Sequence, residues 1–202
     1  VILWGVPLLY FFITIMFYLR TYDSCQIKIT LLQVGGTFLF GVWLIKLLRE
    51  NRNPFPQGLE LIMPLILFLL SGIVSFLHTY FKPVSFEELI RRVLYIALAL
   101  IIIREFDTER KLRRLIMFTV YACTISALYG LIQFLDVTFF PPNPEPGLDP
   151  FIWRQAFGKR IFATHGNPNF YGDYLVVMTP ILLSLILKTR NLFLIFLFLL
   201  VS

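Results

Sequence analysis

The sequence has little charge, little cysteine and little histidine, and each scarcity narrows the possible classes of protein. Charged residues make up 15% of the chain, whereas soluble domains usually have about 25%. Hydrophobic residues make up 58%, against about 45–50% in soluble domains. Cys25 and Cys123 lack the spacing of metal or redox motifs, so neither a disulfide nor a metal centre is predicted. The composition is that of a membrane protein.

The hydrophobic residues occur in continuous blocks, and a helix needs roughly 20 mostly apolar residues to cross a bilayer. A backbone in lipid must satisfy its own hydrogen bonds, so these blocks are read as helices. The alternation expected of an outer-membrane barrel is absent from the sequence. We predict an all-α, polytopic transmembrane helix bundle with about seven spans, the last one truncated. The predicted spans are residues 1–19, 29–48, 59–80, 86–106, 115–135, 170–187 and a run from 192.

The predicted span 86–106 is the least regular of these. Arg91, Arg92 and Arg104 would have to extend their charged ends toward the head groups. Ser85, with Glu88 three residues later, predicts a capping box at the start of this helix. We expect both ends of the chain to have been cut from a longer protein, because residue 1 is not Met and residue 202 lies inside an apolar run.

The distribution of Lys and Arg predicts the orientation and accounts for the net charge of +6 without a nucleic-acid partner. Ten basic residues fall on one side of the predicted bundle and eight on the other. Five of the ten lie close together, from Arg104 to Arg114. This dense group predicts a cytoplasmic loop, because positive charge is retained inside. The loop 136–159 then faces outward. If residues 86–106 do not span, this assignment reverses.

The loop 136–159 is rich in proline, which favours an extended connector over a helix. An aromatic flank suits a position against the lipid head groups. A role in substrate access stays open beside that of a stiff connector. The prolines are Pro141, Pro142, Pro144, Pro146 and Pro150, and the aromatic residues are Phe151, Trp153 and Phe157.

A cluster of polar residues follows this loop, where polar groups are functional candidates by default. Asn167 and Pro168 predict a helix start, because Asn caps a first turn and Pro is preorganised within it. The free N–H groups and the positive end of such a helix favour an anion. Lys159 and Arg160 lie just upstream, and a guanidinium can hold phosphate oxygens bidentately. These features predict a pyrophosphate site at the membrane surface.

Four further residues recur at helical spacing and share one face of the predicted sixth span: Asn169, Gly172, Asp173 and Val176. We expect that face to point into the bundle, with Gly172 allowing close approach of a helix or ligand. The alternative is that Lys159 and Arg160 only anchor the span and Asn167 only caps it. His165 is either a general base or phosphate contact, or a polar residue in a wet loop.

Arg160, the segment Gly166-Asn-Pro-Asn169 and the following Tyr174-Leu and Pro180 resemble the start of the conserved domain of bacterial O-antigen ligases. That superfamily also includes O-antigen polymerases and protein O-oligosaccharyltransferases. The specific match covers about residues 160–180, and the earlier spans agree in general layout. The resemblance divides the chain into N-terminal helices with the Pro-rich loop, 1–159, and the truncated start of an O-antigen-ligase-like domain, 160–202.

The resemblance implies an inverting glycosyl transfer on the outer side of the bacterial cytoplasmic membrane, as in lipopolysaccharide biosynthesis. The donor would be a glycan on undecaprenyl pyrophosphate, and the acceptor a lipid A core, a glycan or a protein. No cofactor, metal or nucleotide sugar would be required. By the same resemblance Arg160 neutralises the pyrophosphate leaving group, and Asn167 and Asn169 shape the start of the helix.

Two departures from the family pattern limit which of the family's residue roles can be expected in this chain. The family often has an aromatic residue where this chain has His165, so the catalytic base is not assigned to it. The family's catalytic outer loop lies in later spans, so we expect residues 1–202 alone to be inactive. A transporter of a small anion such as bicarbonate is the chief alternative function, since an anion site at a helix start suits both. A structural subunit with a degenerate site is a third.

Overall fold

The computed structural model describes residues 1–17, 26–55, 59–140 and 158–201, and these residues form helices joined by short turns with no strand among them. The predicted all-α fold is thereby confirmed. The predicted Pro-rich segment, with its aromatic flank, and Cys25 lie outside the described residues. The helices are α1 Ile2–Ile15, α2 Gln26–Glu50, α3 Leu59–His78, α4 Lys82–Glu105, α5 Glu109–Phe139, α6 Pro168–Thr189 and α7 Leu192–Val201. A 3-10 turn, Ala163–His165, precedes α6.

Four helices are long and apolar enough to cross a membrane: α2, α3, α5 and α6. Helices α1 and α7 are apolar but shorter, with 14 and 10 residues. Helix α4 has 24 residues, but charged residues occur near both of its ends. The described chain is therefore a membrane-embedded helical protein, and the number of seven spans stays a prediction.

Helices α4 and α5 begin well before their predicted spans. Helix α4 starts at Lys82 with Phe81 at the N-cap, so the prediction that Ser85 caps this helix is wrong. Pro83 stands in the first turn, where its fixed φ angle and missing N–H suit a helix start, and Ser85 lies inside the helix. Helix α5 includes the charged segment after residue 109 and continues to Phe139, so the predicted loop from residue 136 begins inside a helix.

The described chain divides into two compact units, of which the first contains Val1–Leu9 and Thr30–Ile116. Its core is apolar and is formed by side chains of α1, α2 and α4 with Phe106 just beyond α4. Within it, a Cβ atom on Gly35 would lie 2.6 Å from Leu9 Cδ1, so α1 and α2 approach closely at this glycine. The core residues are Ile2, Val6, Leu39, Trp43, Leu47, Leu100, Ile101 and Phe106.

A buried carboxylate ties α4 to α2 in the first unit. Glu105 is 7% exposed, and its Oε1 accepts a hydrogen bond from Trp43 Nε1 at 3.2 Å. Its Oε2 lies 2.5 Å from Lys46 Nζ. A buried charge is tolerated when it is paired and hydrogen-bonded, and both conditions are met here.

The second unit contains Tyr10–Ile29 and Met117–Ser202. Helix α5 contributes Cys123, Ser126 and Gln133 to its interior, and α6 contributes Met178 and Leu182. The predicted domain boundary between residues 159 and 160 falls inside this unit. Polar side chains are prominent in the interior, and they surround the segment that the sequence marked as functional.

Candidate functional site

The segment from Gly158 to Asn167, here called the braced loop, connects to α6 and is held against α5 by a glutamine. Gln133 is 3% exposed, and its Oε1 accepts hydrogen bonds from the N–H groups of Ala163 at 2.8 Å and Phe162 at 3.3 Å. Two buried backbone donors, which would be costly to leave unpaired, share this one side-chain oxygen.

A second set of polar contacts holds the same loop one residue further on. Thr164 Oγ1 lies 3.0 Å from Ser126 Oγ on α5. It also lies 2.9 Å from the Thr14 carbonyl oxygen near the end of α1, to which it donates a hydrogen bond. Lys28 Nζ donates to the carbonyl oxygens of Thr14 and Ile13 at 2.8 and 2.7 Å. The braced loop is thus tied to α5, to α1 and, through a shared carbonyl, to the start of α2.

The backbone of the braced loop is strained at one buried position. Ala163 has a φ of 45° and is fully buried, and a non-glycine residue in this region costs on the order of 1–3 kcal/mol. Gly166, at φ 71°, adopts a left-handed conformation that suits glycine. Such a conformation persists where the surroundings hold it, and here Gln133 accepts a hydrogen bond from the Ala163 N–H.

The side chain of His165 lies against two tyrosines of α6. Its ring centroid is 4.5 Å from that of Tyr174 and 5.5 Å from that of Tyr171. Burial lowers the pKa of His165 to about 3, and the positive charge of Lys28 adds to this. An imidazole with so low a pKa is a weak base, which favours the interpretation of His165 as a packed loop residue over that of a general base.

The start of α6 follows the sequence prediction. Asn167 occupies the N-cap with an extended backbone, its Oδ1 accepts a hydrogen bond from Asn169 N–H at 2.9 Å, and Pro168 opens the helix. The Tyr171 N–H donates to the Asn167 carbonyl oxygen. Among the first-turn amides, only that of Phe170 has no acceptor among the described residues, so the helix start offers one backbone donor rather than several.

Lys159 and Arg160 are both exposed, two to three residues before the part of the loop that Gln133 and Ser126 hold. Within the described part of the chain, neither side chain makes an ion pair or a hydrogen bond. Two cations without a carboxylate partner on a braced segment form a site of positive potential. Such a site attracts anions, and the guanidinium is suited to a phosphate oxygen pair.

The prediction that the face with Asn169 and Asp173 points into the bundle is wrong. Both residues are exposed, as are Gly172 and Val176, and the buried residues of α6 are instead Tyr171, Met178 and Leu182. The rotation of α6 follows from packing, because Tyr171 lies against α5 at a glycine, Gly130. The structure therefore places the Asn169 and Asp173 side chains away from the packed interior, and no described residue of the second unit covers them.

Sequence reasoning missed the residues that hold the loop. Ser126, Gly130 and Gln133 follow one another at spacings of four and three, which puts them on one face of α5. Polar residues at this spacing inside an apolar span were a usable signal. Asp136, fully buried, continues the same face by one turn.

No group of three or more His, Cys, Asp or Glu residues that could hold a metal ion occurs in the described ranges. No family model, curated protein or solved structure matches the chain.

Proposed function

We propose that the chain is part of an integral membrane glycosyltransferase of the O-antigen ligase type, and that the braced loop binds the pyrophosphate of a lipid-linked glycan donor. In this proposal all seven helices belong to a multi-pass bundle in the bacterial cytoplasmic membrane. The donor is a glycan on undecaprenyl pyrophosphate, and the acceptor is a lipid A core, a glycan or a protein on the outer side.

The observation that carries the proposal is the position of Arg160. Its side chain is exposed and unpaired among the described residues, yet its backbone leads directly into a segment held by buried hydrogen bonds. A mobile surface arginine used only for anchoring would not require such support. A guanidinium held on a fixed backbone loses less freedom when it binds a phosphate than one on a loose chain does.

The chemistry of glycosyl transfer explains what a fixed cation contributes. When the bond between the sugar and the pyrophosphate breaks, negative charge develops on the departing phosphate oxygens. Arg160 stabilises that charge through paired N–H donors, and Lys159 adds a second positive charge beside it. The Phe170 N–H, at the positive end of α6, is a further donor. None of these groups serves as the base that activates the acceptor.

A binding experiment tests the proposal on the chain itself. We would measure the affinity of the purified protein in nanodiscs for a short-chain polyprenyl pyrophosphate and for the matching monophosphate. The pyrophosphate should bind more tightly. Arg160→Ala should weaken its binding by about 10- to 100-fold, because charged hydrogen bonds contribute on the order of 1.5–3 kcal/mol.

The matched control is Arg113→Ala, which removes an exposed arginine from the first turns of α5, in the first unit and away from the braced loop in the sequence. It should leave the affinity unchanged. Equal affinities of the wild-type protein and Arg160→Ala would overturn the proposal. A protein that binds bicarbonate and ignores the pyrophosphate lipid would favour the anion-transporter alternative.

A further inference from the structure

The buried polar side chains beside the braced loop lie too deep to bind an anion at the surface themselves. Gln133 and Ser126, at 3% and 0% exposure, direct their oxygens at Phe162, Ala163 and Thr164. Hydrogen-bonding capacity inside an apolar bundle is costly unless it is satisfied. Three hydrogen-bond partners of these two side chains lie in one short segment, the braced loop.

The contact with Gln133 is the one that fixes the backbone nearest to Arg160. Its Oε1 accepts from the N–H groups two and three residues after Arg160. The second of these belongs to Ala163, whose φ of 45° an unsupported alanine would not keep. Helix α5 has 31 residues and is buried along this face, so the oxygen projects from a rigid element.

We infer that Gln133 is a positioning residue: by holding the backbone after Arg160, it sets where and in which direction the Arg160 side chain extends from the protein surface. Ser126 supports the same segment through Thr164, at 3.0 Å. This inference rests on the proposed function for the identity of the ligand, a pyrophosphate. That Gln133 on α5 holds the braced loop does not depend on the identity of the ligand.

The acceptor is removed most cleanly by Gln133→Met, which keeps the length and much of the volume of the side chain. The matched control is Thr124→Val on the same helix. The Thr124 hydroxyl donates to the Val120 carbonyl within α5 at 2.8 Å, and its loss removes a hydrogen bond without touching the loop. If Gln133→Met does not reach the membrane, Ser126→Ala removes a single hydroxyl and tests the same support.

The first readout is the binding of polyprenyl pyrophosphate in nanodiscs. Gln133→Met should weaken it about tenfold, because misplacing a binding group by about 1 Å has effects of this size or larger. Ser126→Ala should weaken it by a smaller factor, and Thr124→Val should not change it. The preference for pyrophosphate over monophosphate should fall in Gln133→Met, whereas a smaller fraction of folded protein would leave that preference intact.

A double variant separates positioning from a general loss of structure. If Gln133 acts through Arg160, the combined Gln133→Met and Arg160→Ala variant should bind no more weakly than Arg160→Ala alone. Independent, additive losses would overturn the inference while leaving the proposed function intact. An unchanged affinity in Gln133→Met would do the same.

The second readout needs no ligand, so it decides the inference even if the proposed pyrophosphate function fails. A nitroxide attached at Lys159→Cys, with Cys25→Ser and Cys123→Ala as background, reports the mobility of the loop by electron paramagnetic resonance. Gln133→Met should increase that mobility, and Thr124→Val should not. The same spectrum in Gln133→Met as in the parent would show that Gln133 does not hold the loop.

Discussion

Ser126 Oγ on α5 lies 3.0 Å from Thr164 Oγ1 in the braced loop, and both side chains are almost fully buried. The contact joins two positions 38 residues apart in the sequence. Because Thr164 also donates to the Thr14 carbonyl oxygen, one hydroxyl links the loop to two helices. The polar interior of the second unit is thus organised around the segment that directly follows Arg160.

Close packing beside this contact predicts that Gly130 does not accept a larger side chain. A Cβ atom at Gly130 would lie 3.0 Å from Tyr171 Oη and 3.4 Å from Ile161 Cγ2. Gly130→Leu should therefore destabilise the protein by about 1–3 kcal/mol through overpacking, measured as a lower midpoint of thermal unfolding in detergent. Gly41→Leu on α2 is the control, since nothing lies within 4 Å of a Cβ atom there. Equal midpoints for the two variants would contradict the packing of α6 on α5.

The buried carboxylate of Glu105 predicts a different kind of loss in the first unit. Glu105→Gln keeps an oxygen for Trp43 Nε1 but removes the charge opposite Lys46. It should cost about 1.5–3 kcal/mol, the range for a hydrogen bond to a charged group. Asp107→Asn breaks the exposed pair with Lys111 and should cost much less, because solvent screens exposed ion pairs. Thermal unfolding of both variants checks the order, and a larger loss in Asp107→Asn would refute it.

Acidification should destabilise the second unit through His165, whose ring packs against Tyr171 and Tyr174 of α6. Its pKa is lowered to about 3 by burial and by Lys28, so the folded protein keeps the imidazole neutral while an unfolded chain protonates it below its ordinary value of about 6.5. Stability is then lost as the pH falls from that value toward 3. By pH 5 the loss should reach about 2 kcal/mol at most.

The control for this pH dependence is a pair of glutamine variants, compared by unfolding midpoints between pH 7.5 and pH 5. His165→Gln should flatten the dependence, because it removes the group that titrates. His78→Gln should retain it, since His78 is exposed at the end of α3. Retention of the full dependence in His165→Gln would show that another group causes it.

The orientation predicted from the Lys and Arg distribution also predicts the side of the membrane from which residue 145 is accessible. Glu145→Cys, in a background of Cys25→Ser and Cys123→Ala, should react with a membrane-impermeant maleimide in intact cells. Reaction only after permeabilisation would place the braced loop on the cytoplasmic side. The proposed use of an outward-facing lipid-linked donor would then fail.

The helices were predictable from the sequence because continuous apolar runs in lipid must form hydrogen bonds within the segment. The cap at Asn167 with Pro168 was also predictable, since it depends on two adjacent residues and local backbone geometry. The start of α4 was predicted wrongly because the capping-box pattern at Ser85 competed with Pro83, and Pro83 determined the first turn.

The support of the braced loop could not be predicted from local sequence. The hydrogen bonds from Phe162 and Ala163 to Gln133 connect residues about 30 positions apart, and their formation depends on how α5 is rotated. The exposed position of Asn169 and Asp173 could not be predicted either, because it depends on how α6 is rotated about its axis. Helical spacing placed them correctly on one face, but the packing of Tyr171 and Met178 determined which face is buried.

The central claim, that Arg160 binds the pyrophosphate of a glycan donor, is tested most directly by glycan transfer in membranes that carry the gene's full product. Arg160→Ala should abolish most of the transfer from the lipid-linked donor. Arg160→Lys should restore only part of it, because an ammonium keeps the charge but lacks the paired donors of a guanidinium. Arg113→Ala should transfer at the wild-type rate. Undiminished transfer by Arg160→Ala, at equal protein abundance, would contradict the account.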